Sequence, residues 1–174
     1  EGQVEQSDLK EWNTIHNTGA VRVLTEQEPA WVRKHFPGRI ISSRMVRRLR
    51  HSEEVGAEPT AKSRWCLRGY EDPDVGDFHV FAPTPASMSI YLFIVISISL
   101  GMMLAVGDCK NAFCQSDPLR RPNGKLYVAP CQGLMIASNL LIEVLKPPYG
   151  LEDGLLRLHA TLTWYLRECG YQRT

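Results

Sequence analysis

The chain has no Cys-x-x-Cys pair, no histidine at zinc-ligand spacing from its five cysteines, and no Asp-Asp pair anywhere in its 174 residues. The first two absences exclude a zinc ribbon or finger and leave Cys66, Cys109, Cys114, Cys131 and Cys169 as reduced thiols of an intracellular protein. Internal repeats and low-complexity tracts are also missing, which excludes a solenoid and a disordered linker protein. Acids are absent between Pro29 and Ser52, and formal charge of either sign is absent from Val80 to Gly107. Glu1 opens no basic-apolar-small leader, and Tyr171-Gln172-Arg173-Thr174 follows directly on a helix-like segment. Both ends are therefore expected to be cuts from a longer chain.

What is present is ordinary in sum and uneven in detail. A hydrophobic content of 44% with 22% charged residues fits one globular domain, or a domain with an appendage. The net charge of +1 hides a basic block of Arg33, Lys34, Arg39, Arg44, Arg47, Arg48 and Arg50. Residues 53–77 then carry seven acids against three basic residues. Such asymmetry points to a polyanionic partner.

The uncharged stretch raises the alternative of a single membrane span over about residues 88–106. Four features disfavour it. Ser87, Ser89, Ser97 and Ser99 dilute the run, and Gly101 stands where a helix stops. Pro83 and Pro85 precede Ser87, an N-cap candidate. The run divides into a helix over 88–100 and a strand over 102–108, and its flanks lack a basic and aromatic belt. No membrane partner is therefore favoured.

Elsewhere, residues 7–17 read as a helix capped by Ser7, 19–25 as a short strand, and 26–36 as a second helix. Two basic strands, within 39–50 and 61–70, flank a polar ten-residue connection and predict a hairpin. Its arginines suit phosphate contact, with a merely solvated strand edge as the alternative. Pro122-Asn123-Gly124 predicts a turn before a strand at 125–128, a further strand stops at Pro147-Pro148, and an amphipathic helix closes the chain over 155–169. Helices and strands mix without regular alternation, which is an α+β pattern.

Asp108 ends the apolar run and Phe113 follows closely in "LAVGDCKNAFCQSD". A strand-end carboxylate can hold a hard cation for nucleotidyl transfer, or can simply cap a turn. The ordered series "AKSRWCLRGY", "FAPTP", "LAVGDCKNAFCQSD" and "KPPYGLEDG" resembles the reverse transcriptase of copia-type retrotransposons, most specifically over residues 61–153. The resemblance implies an RNA-directed DNA polymerase whose partners are an RNA template, a DNA primer, a dNTP and the remainder of a Pol polyprotein. Residues 1–85 would form fingers with a basic hairpin over about 39–70. Residues 86–174 would form part of the palm, with a turn at 147–154. Asp108 would be the first catalytic, metal-binding aspartate, with the backbone carbonyl of Cys109 beside it on Mg²⁺, or Mn²⁺ as the alternative cation. Phe113 would screen the sugar of the incoming nucleotide, with a core anchor as its other reading. Lys62 and Arg64 would meet the triphosphate, Tyr149 and Gly150 would begin the supporting loop, and Arg44, Arg47, Arg48 and Arg68 would contact nucleic acid.

The sequence also departs from that family. Gly154, Leu155 and Leu158 stand where an Ala-Pro pair and a Trp are usual, and Pro147-Pro148 stiffens the approach to the turn. The family's second catalytic element, a Tyr-x-Asp-Asp hairpin, has no counterpart. Two-metal catalysis needs carboxylates from both elements. The chain by itself is expected to be inactive, with an uncovered apolar surface near Asp108 that favours self-association. A non-catalytic nucleic-acid-binding module is the competing function.

Overall fold

The computed structural model describes residues 2–51, 56, 58–78 and 80–171. Helix α1 spans Gly2–Asn17 and buries Asp8, Trp12 and Ile15 along one stripe, the spacing that a 3.6-residue period brings to a single face. Its start lies upstream of the expected Ser7 cap. Ser7 instead sits within the helix and accepts a hydrogen bond from the Ser63 N–H at 2.8 Å. Strand β1 (Val21–Val23) leads to α2 (Glu28–His35), which carries Pro29 in its first turn, where a missing N–H costs nothing.

Strands β2 (Ile40–Ile41), β3 (Ser43–Arg50) and β4 (Thr60–Leu67) follow. Helix α3 (Ser87–Ser99), β5 (Leu126–Val128), β6 (Ile142–Val144) and α4 (Gly154–Glu168) complete the set. One sheet runs in the order β1-β6-β5-β2, antiparallel except for the parallel β2–β5 pair, and the other is the antiparallel β3–β4 hairpin. The architecture is α+β.

The core forms where α1 crosses the hairpin and meets the larger sheet. Trp12 and Trp65 pack edge to face at 5.5 Å, beside Ile15, Ile41, Leu126 and Ile142. Removing these side chains from water stabilises the fold by roughly 1.5–3 kcal/mol each. A smaller cluster of Leu24, Val32, Tyr127 and Leu141 lies under α2. Ion pairs tie down the acidic loop after β4. Arg39 reaches Asp74 at 2.8 Å, and the buried Arg121 reaches Asp72 at 2.7 Å and Asp153 at 2.6 Å.

The expected strand over 102–108 does not form; these residues lack regular structure and are exposed. A continuous apolar run is the pattern of a central strand, which needs neighbours along both edges and cover on both faces. Among the described residues no strand pairs with it. Helix α3 forms nearly as expected, although its N-cap position is Ala86 rather than Ser87. Gly101, at φ +65°, ends it, and the Met102 N–H folds back onto the Ser97 carbonyl at 2.9 Å. Of its residues only Ser97 is buried, while Met103 and Val106 beyond it are 98% and 100% exposed.

Candidate nucleotide and nucleic-acid interface

The hairpin register sorts its residues by parity. Met45 pairs with Trp65 and Arg47 with Ser63, so these share the face turned to α1. Arg44 opposite Cys66, Val46 opposite Arg64 and Arg48 opposite Lys62 share the outer face. Arg44, Arg48, Lys62 and Arg64 are exposed, and among the described residues no carboxylate lies within ion-pair distance of them. Cations gathered on one strand face repel one another, and an anion laid across them relieves that repulsion.

Arg47 belongs to the other side. Its guanidinium grips Asp8 at 2.6 Å, and Ser63 donates its hydroxyl to the same carboxylate. Burial pushes the Asp8 carboxyl up, but the hydrogen bonds from Arg47 and Ser63 outweigh it and hold the pKa below its ordinary value. Arg47 therefore fastens α1 to the hairpin instead of joining the outer cations. Arg68, just past β4, lies 3.6 Å from Glu71, a loose surface pair.

The turn at 147–151 docks on the end of β4. The Leu67 N–H donates to the Tyr149 carbonyl at 2.8 Å, and Gly150 adopts φ +102° against Leu67. A Cβ on Gly150 would fall 2.1 Å from the Leu67 oxygen, and one on Gly69 would fall 2.1 Å from the Gly150 oxygen. Two glycines therefore let the backbones cross at a distance that no other residue permits.

This crossing sets the Tyr149 ring beside the hairpin. The Arg64 guanidinium lies 4.7 Å from the ring centroid, and Phe113 meets the ring edge to face at 5.3 Å and 88°. Phe113 is half-buried in the short helical turn Ala112–Gln115, which Cys114 anchors in the core. Burial pushes the Cys114 thiol up to about 11, so it acts as packing and not as a nucleophile. Burial also raises the Tyr149 phenol; Arg64 opposes the rise, while Glu11, Cys114 and Asp108 add to it. Asp108 is thus near enough for its charge to be felt at the ring, although it sits in an exposed loop.

Arg64, Phe113, Tyr149 and Gly150 therefore meet, with Lys62 two residues along the same strand face. Asp108 and Cys109 lie in the irregular 102–109 segment. Among the described residues no group of three or more His, Cys, Asp or Glu side chains is arranged to hold a metal. Asp108 with a single backbone carbonyl does not make the cation site that two-metal chemistry requires, and no catalytic step follows from it.

One contributor escaped the sequence reading. Glu11 on α1 accepts from the Trp65 N–H at 3.3 Å, and burial raises its pKa while Arg64 and Lys62 pull it down. Only the i+3 spacing from Asp8 signalled that both acids share the helix face under the hairpin. Comparison with protein-family models, curated proteins and solved structures returns no match to the chain.

Proposed function

We propose that this chain is the fingers and part of the palm of a copia-type reverse transcriptase, acting here as a nucleic-acid- and nucleotide-binding piece. The observation that carries the reading is the Arg64–Tyr149–Phe113 cluster. Its three members come from three separate motifs of the family resemblance, and they stack on one another beside an exposed cationic strand face. A guanidinium over an aromatic ring, next to further cations, suits a nucleotide that offers both a flat base and phosphates.

In this reading Lys62 and Arg64 meet the triphosphate of the dNTP, and Arg44 and Arg48 meet the phosphates of the RNA template or DNA primer. Arg47 holds the hairpin in place from behind. Synthesis is not assigned to these residues alone, because among the described residues no group of three or more His, Cys, Asp or Glu side chains is arranged to clamp two cations. Magnesium would enter with carboxylates that this sequence does not contain, such as those of the rest of a Pol polyprotein.

The test is fluorescence anisotropy with a labelled RNA–DNA template–primer across a salt series. The expected logarithmic salt slope is steep, and Arg44→Ala and Arg48→Ala should each lower it by about one. Arg47→Ala should alter stability more than slope. A salt-independent affinity, or one indifferent to Arg48→Ala, Lys62→Ala and Arg64→Ala together, sinks the reading. A non-catalytic binding module shares the same outer face, and primer extension by the chain joined to a Tyr-x-Asp-Asp segment separates the two. The membrane alternative is not proposed, since among the described residues no helix is long and apolar enough to cross a bilayer.

A further inference from the structure

Apart from the residues of the hairpin cluster, α2 and the β5 end of the larger sheet line a pocket of about 370 Å³. That volume falls within the range of small-ligand sites. Trp31 and Phe36 form one wall, meeting at 5.2 Å and 60°, and Tyr127 lies below them. Although α2 is otherwise packed on the sheet, Trp31 remains 53% and Phe36 40% exposed.

Another wall is polar. Arg22 is held between Glu28 at 3.0 Å and Glu143 at 2.6 Å, and Lys125 reaches Glu143 at 2.6 Å. Arg22, Lys125 and Glu28 line this wall with Glu143 buried behind it, and beyond the bonds they make to each other Arg22 keeps one Nη1 N–H and Glu28 one lone pair of Oε1. An inorganic anion would meet both signs there. An aliphatic chain would cover the aromatic wall but displace water from that N–H and that lone pair without replacing its bonds, which is costly. A flat heteroaromatic ring with donors and acceptors along its rim satisfies both walls at once.

We infer that this pocket takes a single nucleobase, stacked on Trp31 with Phe36 at its rim, and with its hydrogen-bonding edge toward Arg22 and Glu28. The choice of a nucleobase over other heteroaromatic rings rests on the nucleic-acid reading above. The residues are separate from those of that reading, so the two fail separately. Stacking on an aromatic platform tolerates any base, so little sequence preference is expected.

The experiment follows the intrinsic fluorescence of the whole chain during titration with thymidine monophosphate and, separately, with a ten-nucleotide oligothymidylate. Trp31→Ala, Trp31→Phe and a hairpin variant, Arg48→Ala with Lys62→Ala, are run alongside. A saturable quench that disappears in Trp31→Ala is expected, with oligonucleotide affinity about 5- to 150-fold weaker in that variant and largely restored in Trp31→Phe. A Trp31-dependent response to the mononucleotide marks a free-nucleotide site, and a response to the oligomer alone marks a base within a strand; both support the inference. If quench and affinity are unchanged in Trp31→Ala, the inference falls. Should the oligomer still bind, and lose affinity only in the hairpin variant, the nucleic-acid reading stands without the pocket. If neither the mononucleotide nor the oligomer binds, both fall. Trp31 is half in solvent, and unchanged far-ultraviolet circular dichroism checks that Trp31→Ala remains folded.

Discussion

Strand β4 and helix α3 are both rich in apolar residues, yet one lies at the centre of the molecule and the other outside it. Along β4, Ser63, Trp65 and Leu67 are buried while Lys62 and Arg64 face out. Along α3 the apolar side chains point in every direction, and Tyr91, Phe93 and Ile98 are 65%, 59% and 67% exposed. Hydrophobicity alone does not settle a segment's place; periodicity does. A strand with two unlike faces hides one and keeps the other for a ligand. A helix apolar all round can be buried only by cover on all sides, and among the described residues the apolar side chains of α3 stay 37–75% exposed.

Four experiments would break or sharpen that contrast. The largest effect belongs to the crossing that fixes the hairpin's end. Gly150→Val drives a branched side chain into the Leu67 carbonyl at a left-handed backbone position. It should cost about 3–5 kcal/mol, read as a lower urea midpoint or as failure to fold. A wild-type midpoint would show that the turn does not dock on β4.

Next comes the ion pair behind the hairpin. Asp8→Ala should lower stability by about 1–2 kcal/mol, less than a fully buried pair would give, because the Arg47 side chain is 42% exposed. The native pKa of Asp8 lies below its ordinary value. Its contribution is therefore complete above the ordinary carboxylate pKa and is lost as pH falls through the lowered native one. Wild type and Asp8→Asn should converge in acid and diverge toward neutrality. A stability difference independent of pH would remove the pair from this role.

Arg64→Ala sits on the exposed side of the same strand and gives up a cation–π contact of about 0.5–1 kcal/mol. Chemical denaturation should register that small loss while nucleic-acid affinity drops further. Equal losses in both would make Arg64 a packing residue. Smallest of all in stability is the replacement of Tyr91, Val95 and Ile98 by Lys. Because these side chains are already in water, unfolding should shift by less than about 0.5 kcal/mol. Sedimentation velocity should nevertheless show less self-association. A large loss of stability would mean that α3 is covered after all.

Legibility in the sequence follows the same division. The β3–β4 hairpin was readable because its two strands alternate, and α3 and α4 because Gly101 and Gly170 end them where the pattern stops. Parity within the hairpin is not readable without the register, so Arg47 reads as one of the outer cations although its pairing with Asp8 puts it on the α1 side. The strand over 102–108 failed because a strand depends on its neighbours and not on its own residues. The helix start at Gly2 was missed because Ser7 resembles a cap, and the hydroxyl's true partner lies 56 residues away. Ties such as Arg121 with Asp153, 32 residues apart, leave no local trace. The Arg64–Tyr149–Phe113 meeting was suggested only by the order of the motifs.

The exposed segment 102–110 also divides the chain in an unusual place. Strands β1 and β2 lie before it and β5 and β6 after it, yet all four share one sheet, in the order β1-β6-β5-β2, with the later pair between the two earlier strands. Neither half owns this sheet. A protease cutting at the exposed Lys110 would sever the covalent chain and leave the hydrogen-bonded one whole. The two pieces should travel together until denatured, and each should require the other in order to refold.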